Sequence, residues 1–269
     1  MKGILVVLIL SGVALAQTPT VSAGGVLNAA SFDTSGAPVA PGSLISIFGS
    51  SLSAGTATAD SIPLSTNLGN VTVSVNGIPT PLYYVTHTPN FDQINAQLPW
   101  NAQAGAAQVV VTNNGTASAP QSFQVGPFAP GIFSLNGSGT GQAIAVNYPD
   151  YSYAAPSGSI PGLSARPAVV GDPNGIIIYA TGLGAVSPEV PNGAAASGTQ
   201  ISTTTTVPVV MVGGVAAQVT FSGLAPGDVG VNQINAVLAQ GTPTGSAVPL
   251  QIQIGGMTST SKITIAVSQ

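Results

Sequence analysis

The stretch Val71-Thr-Val73-Ser-Val75-Asn-Gly77 decides the fold. Val71, Val73 and Val75 alternate with Thr72 and Ser74, the period of a strand that buries one face. Asn76-Gly77 is the strongest short hairpin signal, because both residues accept the positive φ of a type I′ turn. Leu82 to Val85 then reads as the return strand. The same order recurs downstream. With Gly77 laid on Gly214 of Val210-Met-Val212-Gly-Gly214, Val73 falls on Val210, Val75 on Val212, Leu82 on Val219 and Tyr84 on Phe221. Asp92-Gln-Ile-Asn-Ala96 then meets Asn232-Gln-Ile-Asn-Ala236, and Val109 to Gly115 meets Leu250 to Gly256. Upstream, Ile45-Ser-Ile-Phe48 matches Ile176-Ile-Ile-Tyr179. One fold has been built twice.

Further strands are expected at Leu44–Phe48, which opens the first unit, and at Ile94–Leu98, Val109–Thr112 and Ser122–Val125, with a turn at Asn113-Asn-Gly115. Short strands with turn signals at this spacing, and no long run at helical period, describe an all-β chain of two tandem immunoglobulin-like antiparallel β-sandwiches. The expected division is a first sandwich over residues 17–126 and a second over 127–269, joined at Gly126-Pro-Phe-Ala-Pro130. Two prolines in that junction predict a fixed angle between the units. The second unit begins with an extra hairpin, in which Gln142–Asn147 is a strand and Tyr148-Pro-Asp-Tyr151 a turn leading to Tyr153. Phe48 to Gln93 spans 45 positions and Tyr179 to Gln233 spans 54, a net insertion of nine in the second copy. It is placed in 185–206, a Pro/Gly/Ser/Thr-rich segment expected to be an exposed loop and a candidate contact surface.

Residues 1–16 read as a signal peptide: a basic start at Lys2, an apolar run from Ile4 to Leu10 and Ala14-Leu-Ala16 before Gln17. The run is shorter than the roughly 20 residues a membrane-spanning helix needs. The expected location is therefore secreted, extracellular or at the cell surface, with no membrane span after the leader is removed. The chain has no Cys, so no disulfide or lipidated Cys is available. Lys+Arg number 3 against 7 Asp+Glu, and losing Lys2 leaves 2 − 7 = −5. Arg166 and Lys262 cannot form a basic patch, which argues against nucleic acid and anionic lipid as partners.

Asn28-Ala-Ala-Ser-Phe32, Val39-Ala-Pro-Gly-Ser43, Ile47-Phe-Gly49, Gln93-Ile-Asn95, Ala129-Pro-Gly-Ile-Phe133, Gly141-Gln-Ala143, Tyr179-Ala-Thr-Gly-Leu-Gly184, Gly223-Leu-Ala-Pro-Gly227 and Gln233-Ile-Asn235 follow one another along nearly the whole chain after residue 16. In this order they resemble the Solibacter-type uncharacterised C-terminal domain family of secreted acidobacterial proteins. The resemblance implies repeats of the IPT/TIG immunoglobulin-like fold, usually at the C-terminus of longer exported proteins, and it implies no catalytic residues.

The residues themselves point the same way. A Ser-His-acid hydrolase would have to use His87, the one His, and no Gly-x-Ser-x-Gly elbow is present. Asp33, Asp60, Asp92, Asp150, Asp172, Glu189 and Asp228 are scattered singly. Of these, Asp33, Asp92, Asp150 and Asp172 lie by turn residues, where Asp caps local backbone. Oxygens of Asn90, Asp92 and Asn95, or of Asp228 and Asn232, fall short of the six to eight a calcium site wants. No cofactor, catalytic set or metal site is expected. In each Gln-Ile-Asn triplet the Ile should enter the core while the amides bond a neighbouring loop backbone; exposed, the same amides would suit sugar hydroxyls. Trp100, Tyr148, Tyr151 and Tyr153 are the candidate ligand-binding residues, either stacking sugar rings from the sandwich rim or packing into the groove between the units. The leading function is a non-catalytic structural or interaction module at the cell surface or in the matrix, its partner an extracellular glycan or an envelope protein. The alternatives are a carbohydrate-binding module and self-association of weakly charged sheet edges.

Overall fold

The computed structural model describes residues 17–260 and 262–269. The leader read at residues 1–16 lies outside the described residues. Every regular element among the described residues is a β-strand, and nearly all pairings are antiparallel.

In the first unit, Thr20–Asn28, Leu44–Ser50, Asp92–Gln97 and Leu82–His87 lie side by side in that order in one sheet. Val71–Val75, Gly105–Asn113 and Gln121–Val125 form the facing sheet. In chain order these are strands A-B-E-D against C-F-G, the constant-type immunoglobulin topology. Strand alternation explains the packing: Ile45, Ile47, Val73, Val75, Ile94, Ala96, Val109 and Val111 point inward and are at most 2% exposed. Asn76 and Gly77 take φ values of 48° and 80°, the turn that Asn-Gly signals.

The second unit repeats the plan around its own core, drawn from Ile132 to Val267. Ile176–Thr181 pairs with Asn232–Val237, which pairs with Val215–Leu224, and that strand pairs in turn with Val209–Val212. The registers coincide between copies. Phe48 lies opposite Gln93 and Tyr179 opposite Gln233; Tyr84 lies opposite Asn95 and Phe221 opposite Asn235. Even the irregularity is duplicated, between Leu82 and Tyr84 and between Val219 and Phe221. The copies differ in the return strand. It is continuous in the second copy, running from one sheet into the other, whereas in the first it breaks between Ile78–Pro79 and Leu82–His87. Pro79 and Pro81 each lack the N–H that a shared strand must donate.

Three expectations change. The first unit opens not at Leu44 but at Thr20–Asn28, whose register against Leu44–Ser50 shifts between Val21 and Val26. Gly24 and Gly25 interrupt the apolar alternation there and hide the strand from its sequence. The segment 142–147 is not one strand: Gly141–Gln142 runs parallel to Ile263–Ser268, while Ala145–Asn147 pairs with Ile176–Thr181. The inserted 185–206 segment is mostly exposed, as expected, but it is also pinned between the units. Gly193 N–H donates to Gln97 Oε1 at 2.7 Å, its carbonyl accepts Leu64 N–H, and Asn192 Oδ1 accepts Trp100 N–H at 2.7 Å.

Candidate functional site

The junction between the sandwiches is bonded from several sides. Asn28 Nδ2 donates to the Ala129 carbonyl at 2.8 Å, and Ala129 N–H donates to Gly182 O. Leu44 N–H donates to Thr181 Oγ1 at 3.0 Å, and that hydroxyl donates to Gly230 O at 2.8 Å. Two aromatic wedges complete the joint, each lying against glycine. A Cβ on Gly42 would overlap the Trp100 six-membered ring, and one on Gly184 or Gly255 would overlap the Phe128 ring. Trp100 also packs on a small cluster of Val186, Ala196 and Leu224 from the second sandwich. Beside these rings lies a cavity of about 350 Å³ lined by Pro41, Trp100, Phe128, Val186, Glu189 and Thr205, among others. It is largely apolar, and among the described residues Glu189 is its one charged wall.

The tyrosines belong to the extra hairpin of the second sandwich, and none of them lines the cavity beside Trp100. Val146 pairs with Tyr153, closing the extra hairpin around Tyr148-Pro-Asp-Tyr151. Tyr148 and Tyr151 are 43% and 59% exposed, and their rings meet edge to face at 5.9 Å. A network beneath holds the turn. Asp150 Oδ1 accepts Ser152 N–H and hydroxyl, Asp150 Oδ2 accepts Arg166 Nε–H at 2.8 Å, and Asn147 Nδ2 donates to Ser152 and to Arg166 O. Tyr151 itself has φ 55°, a conformation that bulky L-residues rarely adopt. The Arg166 guanidinium, helped by the Ser152 N–H, holds the Asp150 carboxyl down at about 2. Tyr153 is half-buried. Tyr179 lies close enough that Asp228, Tyr151 and Tyr153 add to the upward shift that burial gives its phenol.

His87 Nδ1 and Asp92 Oδ1 are 2.6 Å apart, with His87 about half exposed and Asp92 2% exposed. The other Asp92 oxygen accepts Leu52 N–H at 2.7 Å. Asp92 therefore anchors a loop that follows another strand rather than capping its own turn. The cavity beside Trp100 does not include His87, and no further acid joins the pair among the described residues. Asp33, Asp150 and Asp172 each accept the N–H two residues on, as turn residues do. Among the described residues no group of three or more His, Cys, Asp or Glu could hold a metal. Asn95 and Asn232, which by sequence could offer oxygens to a cation, spend their Oδ1 on Gln93 and Leu183.

The Gln-Ile-Asn triplets depart from expectation in their partners. Ile94 and Ile234 are fully buried as expected, but the amides bond each other rather than a loop: Gln93 Nε2 donates to Asn95 Oδ1 at 2.7 Å, and Gln233 Nε2 to Asn235 Oδ1 at 2.8 Å. Side chains two apart on a strand share a face, so the contact follows from the spacing. Asp228, between the units, has its carboxyl pushed up by partial burial. Burial raises the Tyr83 phenol as well; the Val229 backbone hydrogen bond works against this and the Asp228 carboxylate adds to it.

No protein-family model and no curated protein matches this chain. Among solved structures it is similar to the Bacteroides ovatus mixed-linkage glucan utilization locus protein SGBP-B, in complex with a mixed-linkage heptasaccharide, at 11% identity and TM-score 0.34. That match covers 86% of this chain and 45% of the other, so the chain spans under half of that protein. It is also similar to domains 5–6 of the S-layer protein SbsC, at 14% identity and TM-score 0.27, covering 93% and 98%. Tandem Ig repeats of Dlar match at 11% identity and TM-score 0.20, covering 94% and 95%. At these scores none of the three bears on what this chain binds.

Proposed function

We propose that this chain is a non-catalytic, exported structural or interaction module of the cell surface or extracellular matrix, made of two sandwiches divided near 126/127. The observation that carries this reading is the use made of its few ionisable groups. Asp33, Asp92, Asp150 and Asp172 are committed to backbone N–H groups, Arg166 to Asp150, and His87 to Asp92. The hydrogen-bonded junction supports a body of fixed shape, suited to presenting a surface. The ordered motifs that resemble the Solibacter-type family fit the same role. Fractionating producing cells tests it: the protein should travel with the envelope or matrix, and recovery as a free monomer in the medium would overturn it.

A second reading, carbohydrate binding, is favoured by the Tyr148/Tyr151 turn, where a partly buried polar network presents two exposed rings. Sugar rings stack their apolar faces on such rings while hydroxyls meet the phenols. Loss of binding on a glycan array for Tyr151→Ala, against a folded wild type that binds, is the expected result; a blank array for the wild type removes the reading.

A further inference from the structure

The internal duplication has kept one surface arrangement that neither core nor junction requires. On the outer face of the sheet that carries each Gln-Ile-Asn strand, a Gln–Asn pair is flanked diagonally by two aromatic rings. The set is Phe48, Gln93, Asn95 and Tyr84 in the first copy, and Tyr179, Gln233, Asn235 and Phe221 in the second. All eight are half-buried, so each face is in reach of solvent. Within each pair the Gln Nε2 donates to the Asn Oδ1, and in the first copy the Ser46 hydroxyl also donates to Asn95 Oδ1 and accepts from Gln93 Nε2. That leaves the Gln Oε1 as an acceptor and the Asn Nδ2 as a donor, neither with a partner among the described residues and neither buried. Each face therefore offers one acceptor and one donor side by side, with an aromatic ring on either hand.

One turn of the second sandwich reaches the first unit. There Asp228 acts on both Tyr83 and Tyr179, and a Cβ on Gly230 would come within 3.1 Å of the Leu44 side chain. The strands carrying the amides, Asp92–Gln97 and Asn232–Val237, are each bonded on both edges. Their backbones have no ladder to offer an added peptide strand, so recognition falls to side chains on a flat face. Arg166 is paired with Asp150 and the only other cation after residue 16 is Lys262, which leaves little to attract an anionic polymer.

We infer that these duplicated aromatic–amide faces are two related subsites for one neutral polysaccharide chain. A hydroxyl both donates and accepts, so neighbouring hydroxyls of one sugar satisfy the Oε1 and Nδ2 of a pair together, while the ring's C–H face stacks on the flanking aromatic. Two subsites on one body give a polymer an avidity that a short oligomer lacks. The inference deepens the carbohydrate reading and rests on it.

The test uses the chain from Gln17 onward, neutral β- and α-linked glucans, xylans and mannans, and their trisaccharides, measured by affinity electrophoresis and calorimetry. The wild type should bind at least one of these polymers about tenfold or more tighter than its trisaccharide. The double variant Gln233→Met/Asn235→Leu replaces both partners with apolar side chains of similar shape, which leaves the fold intact. It should weaken polymer binding about tenfold and bring it to the trisaccharide level, with the melting temperature unchanged. Tyr84→Leu, in the other copy, should do the same independently, so a fold defect in one variant does not decide the matter. Wild-type polymer binding by both variants overturns the inference; if Tyr148→Ala/Tyr151→Ala alone abolishes binding, the carbohydrate reading survives without it. No binding to any neutral polymer overturns the inference, and a wild type that also leaves the glycan array blank removes the carbohydrate reading with it.

Discussion

Replacing Asn28 with Ala should loosen the molecule where its two halves join. Asn28 is 6% exposed and makes three hydrogen bonds: its Oδ1 accepts from Ala30 N at 2.8 Å and Ser31 N at 3.1 Å, and its Nδ2 donates to Ala129 O. The substitution leaves a buried N–H on Ala30 and a buried carbonyl on Ala129, each costing about 1–3 kcal/mol. Relaxation and entering water recover part of this, so the expected loss is about 3 kcal/mol. For a chain of this length each kcal/mol moves the melting temperature by roughly 2–4 °C, giving a drop of about 10 °C. Ala129 also donates to Gly182 O, so the loss passes to the second sandwich. Scanning calorimetry should show the transition broaden or split as the units uncouple, and small-angle scattering should show a wider spread of interdomain angles. Asn28→Asp keeps both acceptor bonds but sets a carboxylate against the Ala129 carbonyl, and should be at least as damaging to the coupling. A single sharp transition within about 1 kcal/mol of wild type for Asn28→Ala would refute the reasoning.

Asp228→Asn should stabilise the protein slightly at neutral pH. Partial burial raises this carboxyl in the folded state, so its ionised form is penalised above the folded value and the penalty fades as pH falls through the ordinary Asp range. Melting curves from pH 7 to 3 should show the gain of the variant disappear on acidification; a constant gain would be wrong for this cause. Asp150 behaves oppositely. Its carboxyl, held near 2 by Arg166, stabilises above the ordinary Asp range and loses that contribution as pH falls through its own value. Because the pair is exposed, Arg166→Ala should change stability only slightly, by under about 1 kcal/mol, and mainly raise the mobility of Tyr148 and Tyr151. Gly42→Ala places a methyl where the Trp100 ring lies and requires a left-handed backbone at φ 76°, so it should shift the fluorescence of this single Trp to the red and cost about 2 kcal/mol or more. An unshifted spectrum would mean that Trp100 does not pack on Gly42. Self-association through sheet edges predicts concentration-dependent light scattering that persists in high salt; its absence removes that reading.

Much of the architecture is written locally. Val71 to Gly77 alternates at period two and ends in a residue pair that favours one turn, so strand, turn and buried face follow without reference to the rest of the chain. The repeat carries this to Val210–Gly214 and places Ile94 and Ile234 in equivalent core positions. Thr20–Asn28 is not legible in this way, because Gly24-Gly25 breaks the alternation and its pairing partner supplies the missing information. The role of residues 185–206 is hidden too. A segment rich in Gly, Ser and Thr has the composition of a free loop, and only the neighbouring sandwich reveals that Asn192 and Gly193 are bonded to Trp100 and Gln97.

The sequence by itself determined the class, the duplication and the inward residues, since hydrophobic period and turn chemistry are properties of a few consecutive residues. The tertiary structure alone decided which polar side chains meet. It joined His87 to Asp92, Asn28 to Ala129 and Asp150 to Arg166, and it set Trp100 in the junction and Tyr148 and Tyr151 on the extra hairpin. A hydrogen bond acts over about 3 Å and depends on where distant segments come to rest, so residue identity and spacing cannot specify it in advance.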